Sequence, residues 1–183
     1  MNILISIDSF KGSMTSMQAG NAAKKGILKA VPDAEAVVCP LADGGEGTTD
    51  ALIEGMSGEK IELEVTGPLG ETVSCYYGWL EESRTAVMEM ASAAGLTLVN
   101  EKNPMMATTY GVGEMILDAA KRGCEKVIIG IGGSATNDGG IGMLQAFGYQ
   151  FLDKNRKDVG KGVAALGKVE MIIADKVNPL ISK

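Results

Sequence analysis

Val127-Ile128-Ile129-Gly130-Ile131-Gly132-Gly133-Ser134-Ala135-Thr136-Asn137-Asp138-Gly139-Gly140 begins as an apolar run and passes directly into a loop with little side-chain bulk. The run is short, β-branched and bounded by glycine, so it reads as a buried strand. The loop carries its functional groups on Ser134, Thr136, Asn137 and Asp138. Glycine lets backbone N–H groups point inward and approach a bound anion closely. A strand that ends in such a loop is how α/β proteins build phosphate and carboxylate sites.

Working toward the N-terminus, residues 2–7 read as a first strand ending at Asp8-Ser9-Phe10-Lys11-Gly12. A helix is expected from about Thr15, because Thr15 and Gln18 have capping-box spacing and Ala19, Ala22, Ala23, Ile27 and Ala30 form an apolar stripe. Pro32 ends it, and residues 35–41 read as a second strand. This β-loop-α-β order begins a parallel α/β sheet. Ala42-Asp43-Gly44-Gly45-Glu46-Gly47-Thr48 then leads into a short helix carrying Ala51, Leu52 and Met56.

The middle of the chain has period two. Ile61, Leu63 and Val65 alternate with charged residues, Gly67-Pro68-Leu69-Gly70 is a turn, and Val73, Cys75, Tyr77 and Trp79 alternate again. Residues 60–79 therefore read as an antiparallel hairpin, with 85–90 as a third strand. A helix opens at Thr108-Thr109-Tyr110-Gly111-Val112-Gly113 and closes near Gly123. After the glycine loop a helix runs through Met143 to Phe147, 154–162 is polar loop, and 169–174 is a last strand. The fold expected is a parallel-sheet α/β architecture of Rossmann or flavodoxin type, with a β-rich hairpin segment leading into a second α/β domain. The expected division is 1–58 and 59–183.

Composition narrows the function. A chain of 183 residues, 45% hydrophobic and 22% charged, suits one well-buried domain or one domain plus a small second one. A net charge of −6 argues against nucleic acid and against an anionic membrane surface. No apolar stretch approaches a membrane span, and the N-terminus reaches Asp8 without a basic region or signal-peptide pattern. Cys39, Cys75 and Cys124 are scattered, with no CxxC pair, which suits a reducing cytoplasm and three small buried side chains. The chain has no histidine. That removes Ser-His-Asp and Cys-His catalysis and the usual His-ligated metals. Phosphoryl transfer fits what remains, since it asks for positioning, charge stabilisation and Mg²⁺ on carboxylates.

Three glycine-bearing polar loops each follow an expected strand: Asp8–Gly12, Asp43–Thr48 and Gly130–Gly140. In an open parallel sheet such loops gather at one edge, where ligands bind. Each also has a plain reading. Asp8 and Ser9 would serve equally to cap the first helix, and Thr108 and Thr109 to cap the later one. Lys11 is placed to touch a phosphate, although most lysines are simply solvated. Asp43 and Glu46 flank a Gly-Gly pair that suits a turn or a Mg²⁺ ion. Gly130, Gly132 and Ala135 fit a nicotinamide fingerprint with Asp153 downstream, but the loop continues through Asn137-Asp138-Gly139-Gly140 where that motif wants a helix. A Walker A loop is excluded, because no Gly-Lys-Ser/Thr follows the glycines.

Taken in order, Asp8-Ser9-Phe10-Lys11, Ala42–Thr48, Val65–Gly70, Glu89–Leu96, Thr109–Glu114 and Ile129–Gly140 resemble the bacterial glycerate kinase family of the glycerate 2-kinase type. The resemblance implies two α/β domains with the active site between them. It also implies an ATP-dependent enzyme that phosphorylates a hydroxyl of D-glycerate, usually giving 2-phosphoglycerate, with Mg²⁺ accompanying the nucleotide. Members of the family are markedly longer. Asn178-Pro179-Leu180 resembles a mid-chain segment of theirs, and Leu166–Asp175 is shorter than their counterpart, so the chain reads as an N-terminal half.

On that reading Asp138 is expected as a base or metal-organising group, with Asp8 and Lys11 also catalytic and Lys11 neutralising the transferred phosphoryl group. Ser9, Gly132, Gly133, Ser134, Asn137, Thr108 and Thr109 are expected to bind substrate or phosphate, and Asp43 and Glu46 to hold Mg²⁺ through water. Partners are D-glycerate and ATP, with a homo-oligomer left open. Two other classes stay open: a non-catalytic remnant that binds nucleotide or anion, and, ranked last, a nicotinamide-dependent oxidoreductase.

Overall fold

Thr15 closes a capping box. Its hydroxyl accepts from the Gln18 amide at 3.2 Å, and the Gln18 side chain accepts from the Thr15 amide at 2.9 Å. Two otherwise orphaned donors are satisfied locally, which starts helix α1 (Ser16–Ala30) where the spacing predicts. The structure, a computed structural model, describes residues 1–10 and 13–181. Helix α1 packs on a parallel pair, β1 (Asn2–Ile5) and β2 (Glu35–Val38), registered with Leu4 opposite Val37 and Ile5 opposite Val38. Ile5 and Ala36 are buried, whereas Leu4 (68% exposed) and Val37 (53%) point to the other face. Period-two alternation accounts for both facts.

The hairpin forms as expected: β3 (Glu59–Thr66) pairs antiparallel with β4 (Thr72–Leu80), and β4 with β5 (Thr85–Glu89). Strand β6 (Lys126–Gly130) joins β5 in parallel, giving the order β3-β4-β5-β6. This sheet is mixed rather than wholly parallel, because a short reversing turn can join only antiparallel strands. One face carries Ile61, Val65, Cys75, Tyr77, Trp79, Ala86 and Met88, buried against Val112, Met115 and Ala119 of α4 (Tyr110–Lys121). The opposite face packs against α2 (Thr48–Met56), with Ile53 over Gly78. A Cβ at Gly78 would sit 2.7 Å from the Ile53 side chain, so glycine is what lets this helix lie close.

After β5 the chain turns through α3 (Met90–Ala94) and a 3₁₀ turn at Leu96–Leu98, neither marked by periodicity because both are shorter than two helical turns. Helix α5 (Ile141–Ala146) follows the glycine loop. Beyond it, β7 (Gln150–Leu152), α6 (Val163–Leu166) and β8 (Met171–Ile173) enclose a smaller core of Ile141, Phe151, Val159 and Ala165. β7 pairs antiparallel with β8.

Two expectations need correction. Val127 and Ile128 are exposed, not buried, because β6 ends the sheet and nothing among the described residues covers its outer side. Cys39 is exposed and Cys124 half-buried, leaving Cys75 as the buried thiol.

Candidate active site

Two of the three loops meet through backbone. The Gly132 amide donates to the Gly44 carbonyl at 2.8 Å. A Cβ on Gly130 would lie 2.5 Å from that carbonyl oxygen, and one on Gly132 would lie 2.7 Å from the Gly45 Cα. Both glycines are therefore required by the approach of loop 43–48, and the Gly132 amide is committed to it rather than to an anion. Segment 90–96 seals the other side: Ala135 donates to the Ala94 carbonyl at 2.7 Å and Leu96 to the Gly133 carbonyl at 2.9 Å.

Helix α1 holds the strand ends that flank the third loop. The Ser16 hydroxyl donates to the Ile7 carbonyl and accepts from the Leu41 amide at 3.1 Å, tying the ends of β1 and β2 together. Thr15, not Asp8 or Ser9, is the residue that caps α1. The Asp8 carboxylate instead accepts from the neighbouring Ser9 amide at 2.6 Å. Lys11 lies outside the described residues.

Between these elements runs a groove of about 780 Å³. Asp8, Ser9 and Glu46 line it, with Asp50, Lys60, Tyr76 and Glu89 along its wall. Asp50 is engaged there. It pairs with Lys60 at 2.8 Å and accepts from the Tyr76 hydroxyl at 3.1 Å, while the Lys60 ammonium sits 4.2 Å from the Tyr76 ring centre. Burial pushes the Tyr76 hydroxyl above its ordinary range, helped by the Asp50 charge. The Asp50 hydrogen bond holds the Lys60 ammonium in its charged form.

Asp138 occupies a different place. It is 1% exposed, and its carboxylate accepts from the Thr109 amide (2.9 Å), the Thr109 hydroxyl (3.0 Å), Gly140 (3.1 Å) and Gly142 (3.2 Å). The Thr109 hydroxyl in turn accepts from Met143 at 3.0 Å. A carboxylate so enclosed knits the starts of α4 and α5 together and presents no open face to a substrate. Thr108 and Thr109 are buried in the same knot, with the Thr108 amide donating to Pro68 at 2.9 Å. Ser134 hydrogen-bonds Thr136 at 2.7 Å, and Gly133 and Asn137 are exposed. Gly132, Gly133, Ser134 and Asn137 are not among the described residues that line the groove.

The expected metal pair also divides. The Asp43 carboxylate accepts from the Gly45 amide at 3.0 Å and closes its own turn, whereas Glu46 faces the groove with Asp8. Among the described residues there is no cluster of three metal-binding side chains. Mg²⁺ keeps several waters and is commonly held by one or two carboxylates together with phosphates. Glu46 and Asp8 are carboxylates on the groove, the donor type such an ion takes, and Asp43 does not line it.

Asp50, Lys60, Tyr76 and Glu89 are groove residues not named as site candidates from the sequence, and Glu89 is the most buried charge among them. It is 5% exposed, at the end of β5, and its carboxylate accepts from the Thr49 amide at 2.8 Å. Burial pushes its carboxyl above the ordinary carboxylate range, against the pull of the Thr49 amide and with help from the Asp50 charge. Two signals pointed to it: its place at the head of the Glu89–Leu96 segment that carries the family resemblance, and its register. Glu89 shares the α2-facing parity of Thr85 and Val87, where a charge is out of pattern.

The chain matches the glycerate kinase family model over residues 3–183. It is 45% identical to a glycerate kinase of Halalkalibacterium halodurans, covering 99% of this chain and 48% of that protein. It is 43% identical to a glycerate 2-kinase of Escherichia coli, covering 98% and 48%. A crystal structure of a candidate glycerate kinase 2 from Salmonella typhimurium LT2 superposes with a TM-score of 0.87 at 42% identity, over 97% of this chain and 48% of that one. The chain spans about half the length of the relatives it matches.

Proposed function

The chain belongs to the glycerate kinase family, and from that premise we propose that it carries the groove in which D-glycerate is phosphorylated by ATP. The product is phosphoglycerate, with the 2-phosphate as the form favoured by resemblance to the glycerate 2-kinases. The match over residues 3–183 carries the reading. Two polar loops, at Asp8-Ser9 and Glu46-Gly47, line one groove, and the glycine loop braces the second of them from behind, which supports it, because phosphoryl transfer depends mainly on positioned donors and charge. We propose a division into parts 1–58 and 59–183, on which α2 of the first part packs on the sheet of the second.

On this reading Asp8, Ser9 and Glu46 meet the substrates, and Lys11 balances charge on the transferred phosphoryl group. Asp138, Thr108 and Thr109 act by holding the glycine loop and α5 in place. Gly133, Ser134 and Asn137 lie outside the groove lining and are assigned no contact with substrate. Mg²⁺, held by Glu46 and Asp8 through water, would neutralise phosphate charge as the nucleotide reacts. The nicotinamide alternative loses ground because α5 begins only after Gly140.

A coupled assay tests the proposal: ADP release from ATP and Mg²⁺, with and without D-glycerate. Glycerate-dependent ADP is expected. A folded chain that releases none would show that this half of the family's length is not sufficient, and nucleotide binding without turnover would favour a binding remnant.

A further inference from the structure

A kinase that acts on an alcohol needs a group to receive the hydroxyl proton, and the carboxylates on the page differ sharply in fitness for it. Asp138 is enclosed by Thr109, Gly140 and Gly142. Asp43 is turned into its own loop. Asp50 is paired with Lys60. Asp8 and Glu46 are exposed and suit a hydrated cation better than a proton. Glu89 alone among these is both buried and on the groove. Resting on the function proposed above, we propose that Glu89 is the carboxylate that takes the proton from the glycerate hydroxyl as phosphoryl transfer proceeds.

The step balances simply. The hydroxyl O–H bond breaks and its proton goes to Glu89. The hydroxyl oxygen forms a bond to the γ-phosphorus, and the bond from that phosphorus to the β–γ bridging oxygen breaks, its electron pair leaving with ADP. Glu89 then returns the proton to solvent. The surroundings favour proton uptake by this carboxyl. Desolvation raises the Glu89 carboxyl, with the Asp50 charge adding to it, and the other titratable groups on the same groove are Tyr76 and Lys60 from the sheet, Glu46 and Glu54 from α2 and the loop before it, and Asp8 from the β1 end. The Thr49 amide fixes its orientation.

Glu89→Gln separates this role from helix capping, because the amide oxygen of glutamine still accepts from Thr49. In the 183-residue chain, E89Q is expected to stay folded, melting no lower than the parent, and to keep its KM for glycerate. Its kcat should fall by about 10²-fold or more, with the acidic limb of the kcat–pH profile lost. An E89Q kcat within about threefold of the parent, or an unchanged acidic limb, overturns the proposal. Carbon-13 NMR of the glutamate carboxyls, with Glu89 assigned by its absence in E89Q, gives a readout that does not need turnover. D-glycerate should move the Glu89 resonance and its titration midpoint. If the parent chain shows no turnover, the function proposed for it alone fails. The NMR result still decides Glu89: a glycerate-dependent shift upholds its place at the substrate, and none overturns it.

Discussion

Thr109 donates both its amide and its hydroxyl to Asp138, at 2.9 and 3.0 Å, across a sequence separation of 29 residues. The same carboxylate accepts from Gly140 and Gly142, so one buried side chain satisfies the starts of two helices. Orphaned amides at a helix start are normally met by a local side chain. Here the partner comes from a distant loop, which fixes that loop to α4.

Asp138→Ala should therefore act on stability. It leaves several buried donors unpaired, each costing roughly 1–3 kcal/mol. Asp138→Asn keeps one acceptor oxygen but turns an amide group toward N–H donors, and it should be destabilising too. Chemical denaturation of both variants checks this. A variant that melts with the parent would show that the knot contributes little.

The contact between loops 43–48 and 130–140 makes a second prediction. At Gly132 a methyl group would lie 2.7 Å from the Gly45 Cα and 2.9 Å from its nitrogen, both backbone atoms that cannot rotate away. Gly132→Ala should cost roughly 1–3 kcal/mol. It should also break the hydrogen bond from the residue-132 amide to the Gly44 carbonyl and disturb the Glu46 side of the groove. Amide hydrogen exchange at residue 132 is the direct measurement. Unchanged protection there would mean the loops part without consequence.

These relationships show what the amino-acid order made legible. The Thr15–Gln18 box and the alternation of β3 and β4 depend on residues a few positions apart, and both elements appear where the pattern puts them. The glycines of loop 130–140 were legible as sites of close approach, but the approaching group is the Gly44-Gly45 backbone, which no local pattern reveals. Asp138 and Glu89 each meet a partner 29 or 40 residues away, so their roles depend on tertiary packing. The exposure of Val127 and Ile128 has the same origin: periodicity identifies a strand but not its neighbours. β8 falls within the strand expected at 169–174, whereas β7, three residues long, is too short to produce a period at all.

Glu89 also makes stability depend on pH. Its carboxyl is raised in the folded chain, so protonation favours folding. That stabilisation is fully present below the ordinary carboxyl range, near about pH 4. It is lost as pH rises through the raised value, where the parent carries a desolvated charge and E89Q does not. E89Q should thus melt above the parent at neutral pH, by about 2–4 °C for each kcal/mol of difference. The gap should close as pH falls. Melting curves from acid to neutral pH check this, and a gap that stays constant or reverses would mean that the helix-start amides outweigh burial.

The three cysteines give an independent test of how the sheet is covered. Thiolate is the reactive form, so reactivity follows exposure and ionisation together. Cys39 is exposed and should alkylate quickly at mildly alkaline pH. Cys75 faces α4 from β4, and burial pushes its thiol up to about 12, with the charges of Glu114 and Asp118 adding to the effect. It should resist iodoacetamide until the sheet separates from α4. Peptide mass spectrometry across a denaturant series distinguishes the two sites. If Cys75 labels only with global unfolding, the sheet and α4 open as one unit. If it labels well before, the helix lifts off a sheet that stays paired, and the assignment of this interface as the main core fails.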